Sequence, residues 1–182
     1  MTSDPHLKEI FPLPPLVAYK RPANIKEKMI RSKVPPERSE RPKRKQPGCK
    51  KCNKCNICPY VKCCKSVKYS ATNVNAEILQ EVDCQTKNII YCITCKKCKM
   101  QYIGETGRYA KERFKEHIGY VENKQLEKAT GEHFNLKGHS VSDMEFVVLE
   151  KVFNLDPGVR KERESLFIKN VNTLHKGINK IN

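Results

Sequence analysis

Apolar positions fall into a folding rhythm only after residue 66. Asn88–Thr94 and Lys99–Ile103 are two short β-type runs joined by a bend that carries Cys95 and Cys98, which predicts an antiparallel hairpin. Ile78–Val82 is a weaker strand ahead of it. Thr106 and Gly107 open a helix to about Val121, in which Ala110, Phe114, Ile118 and Val121 recur at helical spacing as one buried stripe. A second helix is expected over Leu126–Leu136, with Gly138 as its stop signal. Met144–Val152 reads as the clearest later strand. Asp156-Pro157 pairs an N-cap with proline at the first helical position, so a third helix should run to about Asn170. The order β-β-α-α-β-α describes a small α/β sandwich whose sheet is covered by helices.

Upstream the pattern is different. Residues 1–65 carry 17 Lys+Arg against 5 Asp+Glu, whereas residues 66–182 carry 19 against 15, so most of the net charge of +16 sits in the first third of the chain. Ten of the 11 prolines also precede residue 60. Such a basic, proline-punctuated arm buries little core, and residues 1–47 are expected to be a largely extended linker with one short helix over Asn24–Ser32. Its densest run, Lys43-Arg44-Lys45, suits contact with a polyanion or nuclear import; a plain solvated run explains it as well.

No stretch is long and apolar enough to span a membrane, and Met1–Phe11 lacks the hydrophobic centre of a secretory signal. The ten cysteines are therefore expected in a reducing compartment, where metal ligation is a better reading than disulfides. Residues 48–65 form a cysteine-rich segment of their own, with Cys49, Cys52, Cys55 and Cys58 each three apart, followed by Cys63 and Cys64. It has too few apolar residues for a core, so an ion is the natural organiser. Pro59 after Cys58 gives a partial likeness to an iron–sulfur run, but the last spacer is one residue short, and zinc fits better. Which four of the six cysteines bind is left open, with Cys49, Cys52, Cys55 and Cys58 as the candidate set. The remaining residues, 66–182, form the folded domain.

Ile90-Tyr91, Tyr102-Ile103-Gly104, Glu105-Thr106-Gly107-Arg108, Arg113 to His117, Glu132-His133-Phe134 with Gly138-His139, Arg163-Glu164 and Gly177-Ile178-Asn179 together resemble the GIY-YIG nucleases. The likeness covers about residues 84–182 and extends to the endonuclease domain of Penelope-like retroelements. In that branch a Cys/Cys/His/His metal site has its cysteines between the two tyrosine motifs, as Cys95 and Cys98 are here. Pro14-Pro15-Leu16 with Tyr19 to Asn24 also looks like the connector that follows the reverse transcriptase in those elements. Ile89 stands where the family name has its first glycine, and the Tyr102-to-Arg113 spacing is one residue longer than in phage and bacterial repair members; both features are similar to this branch.

The resemblance implies an α/β fold with a small GIY-YIG-type antiparallel sheet flanked by helices, an inserted zinc site at Cys95, Cys98, His133 and His139, and an extended basic N-terminal region. It implies metal-dependent hydrolysis of a DNA phosphodiester. Arg113 and His117, one helical turn apart, would face the phosphate, and Glu164 would hold one Mg2+ or Mn2+. Tyr91 would lie beside the attacking water as general base, Tyr102 and Asn179 would position water and phosphate, and Arg108 with Lys43-Arg44-Lys45 would contact DNA. Element RNA and a reverse transcriptase are the implied partners, with no membrane, and the nucleus is the implied compartment. A zinc-stabilised nucleic-acid-binding remnant without catalysis is the competing class, and an RNA-binding zinc protein a third. Singly, each residue has a plain reading: a packed strand tyrosine, a solvated helix face, or an i, i+4 surface pair between Arg160 and Glu164.

Overall fold

The structure is a computed structural model that describes residues 46–180 and, further upstream, Ile25 alone. The expected helix Asn24–Ser32, Ile25 apart, and the basic run Lys43-Arg44-Lys45 lie outside the described residues. From residue 46 on, the described chain belongs to one compact unit, Lys45–Asn182. Among the described residues no helix is long and apolar enough to cross a membrane.

Three antiparallel strands make the central sheet. These are β5 (Ile89–Cys95), β6 (Gln101–Thr106) and β7 (Met144–Lys151), in the order β6-β5-β7. β5 is apolar almost throughout and buried on both faces, as a middle strand covered above and below must be. Helix α1 (Ala110–Glu122) packs on the face that presents Tyr91 and Phe146, with Phe114 against Phe146 at 4.4 Å between ring centroids. Its buried stripe is Ala110, Phe114, His117 and Val121; His117 takes the inward position expected of Ile118, which is only half-buried.

Helix α2 is shorter than expected, Ala129–Phe134, because Leu126 and Leu136 at the ends of the predicted span are exposed and give no apolar anchorage. Helix α3 (Pro157–Val171) starts as expected, with the Asp156 carboxylate accepting from Gly158 N at 2.9 Å and proline at its first position. A single further turn, α4 (Thr173–Lys176), follows Asn172 in the left-handed conformation.

Residues 48–65, expected as a segment of their own, are woven into the same unit. β1 (Gly48–Lys50) runs parallel to β4 (Glu81–Asp83), while β2 (Ser66–Lys68) pairs with β3 (Asn75–Glu77), so of the predicted strand Ile78–Val82 only Glu81 and Val82 are extended pairing residues, and residues 78–80 form the link between β3 and β4. This arrangement covers the outer edge of β7. Lys62 N donates to Phe146 O at 3.0 Å, Val148 N donates to the Cys49 thiol at 3.4 Å, and the Gln80 amide bonds both backbone groups of Lys151. The opposite edge, on β6, is covered by residues 177–179. Ile178 N donates to Gln101 O at 2.8 Å, and the Asn179 amide bonds both Ile103 N and Ile103 O at 2.8 Å. Neither edge is left open to pair with another chain.

Arg160, only 7% exposed, locks α3 to the sheet. Its Nε donates to Glu105 at 2.9 Å and its Nη1 to Asn88 Oδ1 and Leu155 O. Arg160 pairs with Glu105, and the plain alternative of an Arg160–Glu164 surface pair is not what forms, so Glu164 has no ion pair among the described residues. α3 thus presents Glu164 from a fixed platform.

Candidate active site

Tyr91 is fully buried in β5, and its hydroxyl is the hub of a hydrogen-bonded chain. Arg113 Nε donates to it at 3.0 Å, and the hydroxyl lies 2.7 Å from His117 Nε2. His117 Nδ1 is in turn 2.8 Å from Thr130 Oγ1 on α2. Because the guanidinium only donates, the phenol proton is assigned to His117 Nε2, and the Nδ1–H then points at Thr130. The ring reaches this place because Gly104 lies opposite it in the register. A Cβ at residue 104 would stand 2.5 Å from the Tyr91 hydroxyl oxygen and 2.9 Å from the Tyr102 ring, so any side chain there displaces the phenol.

His117 stays neutral here. Burial, and then the charge on Arg113, push its pKa from 6.5 down to about 3. Tyr91, Tyr102 and Tyr120 supply the other titratable groups around the ring. Between these two pKa values the unfolded chain binds the extra proton, so this contribution to stability is fully present above about pH 6.5 and is lost as pH falls toward about 3. Denaturant titrations across that window should show wild type losing about 1.4 kcal/mol per pH unit more than His117→Gln.

Arg113 is held by more than Tyr91. Its Nη1 donates to Glu116 at 2.9 Å and to the Tyr120 hydroxyl at 3.2 Å, leaving both Nη2 protons uncommitted among the described residues. Arg108 pairs with the other oxygen of Glu116 and is more than half exposed, so Glu116 ties Arg108 to Arg113. Tyr102, Arg113, His117, Tyr120, Glu164, Asn179 and Lys180 line one cleft of about 410 Å³. Tyr91 stands behind this wall rather than on it. Asn179 borders the cleft, but its amide is engaged with Ile103, so it fastens the C-terminal segment more directly than it places a water.

Glu164 is the cleft carboxylate on α3. Burial and the neighbouring Glu105 carboxylate push its pKa up, and among the described residues it forms no ion pair. A hard oxygen donor with no ion-pair partner among those residues suits a Mg2+ or Mn2+ ion.

The hairpin turn and α2 bring a second group together. One ligand atom from each of Cys95, Cys98, His133 and His139 lies within 4.8 Å of every other. Both ring nitrogens of His139 are buried without a hydrogen-bond partner, and burial and His139 hold His133 toward its neutral form. Two thiols and two imidazoles, one of them with both nitrogens buried and unpartnered, fit one tetrahedral zinc ion. In the upstream segment Cys52, Cys55 and Cys58 converge, but the fourth member is Cys84 and not Cys49. Cys49 faces the β7 edge, and burial pushes its thiol up to about 12, which suits a packed thiol rather than a ligand.

The family model described as the GIY-YIG catalytic domain matches residues 87–182, just over half of the chain. The chain belongs to the GIY-YIG family. It carries a DNA endonuclease domain, a hydrolase of phosphodiester bonds. Among solved structures, the catalytic domain of the homing endonuclease I-TevI aligns with a TM-score of 0.45 at 24% identity, over 53% of this chain and 100% of that one. No curated protein matches.

Several residues of this GIY-YIG domain escape a sequence reading. Glu116 and Tyr120 lie three and seven positions after Arg113, a helical spacing that marks them as neighbours of its guanidinium. Cys84, the one cysteine between Cys64 and Cys92, stands 26 residues after Cys58, and nothing in its spacing ties it to the upstream group. Thr130 and Lys180 carried no signal. The Ile89 of this GIY-YIG domain is fully buried at the start of β5, where its side chain packs in the core.

Proposed function

We propose that this chain is a divalent-cation-dependent DNA endonuclease of retroelement origin, which nicks a target strand so that a new copy of the element is primed. The observation that carries the chemistry is convergence: Tyr102, Arg113, His117, Glu164 and Lys180, from four separate segments, face one cleft. The retroelement reading is supported by Cys95 and Cys98 lying between the tyrosine motifs and by the connector-like Pro14–Asn24 sequence. On this reading DNA is the substrate, element RNA and a reverse transcriptase are partners, and the nucleus is the compartment, with Lys43-Arg44-Lys45 and Arg108 as backbone contacts.

Glu164 would hold the Mg2+ or Mn2+ ion, which when bound supplies positive charge to the scissile phosphate and the leaving oxygen. Arg113 offers its free Nη2 protons to a phosphate oxygen, where charge gathers in the transition state. As the guanidinium turns toward the phosphate, it uncovers the Tyr91 oxygen on the cleft side. A water attacking phosphorus then gives its proton to that oxygen, while the phenol proton passes to His117 Nε2. Neutral His117 keeps an accepting Nε2 lone pair, and Arg113 turning toward the phosphate withdraws part of the charge that holds the imidazole's pKa down. Tyr102 and Lys180 flank the path.

The test is nicking of supercoiled plasmid by the purified full chain. Wild type should open the plasmid with Mg2+ and not with a chelator in its place, and Arg113→Ala should be about a hundredfold slower. Equal cutting by both proteins would mean a contaminating nuclease. Tight DNA binding with no cutting by either would identify a remnant that has lost catalysis.

A further inference from the structure

We propose that Cys52, Cys55, Cys58 and Cys84 form a second, all-thiolate zinc site that clamps the upstream segment onto the start of the helix bearing Arg113 and His117. The sulfur of Cys52 lies 3.4 Å from that of Cys55 and 3.6 Å from that of Cys58; Cys55 and Cys58 are 3.5 Å apart, and Cys58 and Cys84 3.9 Å. Zinc–sulfur bonds of about 2.3 Å in a tetrahedron set the sulfurs about 3.8 Å apart, and the four contacts fall around that value. They are far longer than the ~2.05 Å of a disulfide. They are also too short to enclose an iron–sulfur cluster, whose irons and sulfides hold the cysteine sulfurs well apart.

The loop that carries Cys52 and Cys55, between the paired ends of the segment, has little else to hold its shape. Between β1 and the single 3-10 turn Cys58–Tyr60 it contains no strand or helix, and Ile57 is its one buried apolar side chain there. A stretch this short with so little core holds its shape through an ion. Four thiolates around Zn2+ leave a net charge of about −2, and Lys51 and Lys54 lie within the same short loop to offset it.

The placement of Cys84 gives the site a role. No side chain caps α1 at Tyr109; instead Lys111 N donates to Cys84 O at 2.9 Å and Ala110 N to Thr86 O at 3.0 Å. Tyr60, just past Cys58, packs on Phe114 with ring centroids 5.7 Å apart. The ion therefore ties together the loop that caps α1 and the ring that packs on it.

Elemental analysis of the purified full chain tests this without reference to activity. Wild type should hold about two zinc ions, Cys84→Ser and Cys98→Ser about one each, and Cys49→Ser about two. Two ions retained in Cys84→Ser, one lost in Cys49→Ser, or iron at this site in place of zinc would each overturn the proposal. Should Cys84→Ser fail to fold, wild-type thiol mapping decides the matter. Cys52, Cys55 and Cys58 should resist alkylation until a chelator is added, whereas exposed Cys63 reacts at once. Alkylation of all four at the same rate before chelation would also overturn it.

Discussion

Glu164→Gln should slow strand nicking by about two to three orders of magnitude and leave the melting temperature unchanged or slightly higher. The amide keeps the shape of the side chain but removes the charge that would hold the cation. Stability follows a separate argument. Burial and Glu105 raise the pKa of Glu164 in the folded chain, so its contribution to stability is present at low pH and is lost as pH rises through the raised value. At neutral pH the wild-type carboxylate is therefore a destabilising charge, and the glutamine relieves it. The same shift predicts that the acid limb of wild-type nicking lies at a higher pH than an unperturbed glutamate would give. Rate against pH, paired with thermal melts of both proteins, checks each part. A variant as active as wild type would remove Glu164 from the reaction.

Tyr91→Phe should lower the nicking rate by about a hundredfold to ten-thousandfold, because on the proposed mechanism it deletes the atom through which a proton would reach His117. It should also destabilise the fold. The ring fits unchanged beside Gly104, but Arg113 Nε and His117 Nε2 lose their shared partner in a buried place, at about 1–3 kcal/mol. Single-turnover rates and denaturant unfolding separate the two effects. Full activity with only the stability loss would make the hydroxyl a packing device. Loss of rate well beyond what unfolding explains supports its part in the chemistry.

The strands and helices with sustained periodicity were legible in the sequence: β5, β6, β7, α1 and α3 fall within a few residues of their expected ends. The three-residue strands were not, since a period of two cannot show in three positions, and the parallel pairing of β1 with β4 joins segments more than thirty residues apart. That pairing also explains Cys49. Even spacing made it look equivalent to Cys52, Cys55 and Cys58, yet the strand turns it toward β7. Arg113, His117 and Glu164 were expected at one cleft and line it. Tyr91 was expected beside a water and instead stands behind the wall, because its depth depends on Gly104 and on α1 packing over β5. One residue of helical phase separates the expected Ile118 from the observed His117, and phase is set by tertiary packing.

Thr130 has a consequence that reaches beyond its one hydrogen bond. It rides on a six-residue helix with no side-chain cap, whose His133 belongs to the group formed with the hairpin turn. The hydroxyl that meets His117 Nδ1 is thereby carried on the same short helix as one of four side chains that line no part of the cleft. On the proposed mechanism, loosening that remote anchorage would shift Thr130 away from His117 and slow cutting without touching the DNA-facing surface.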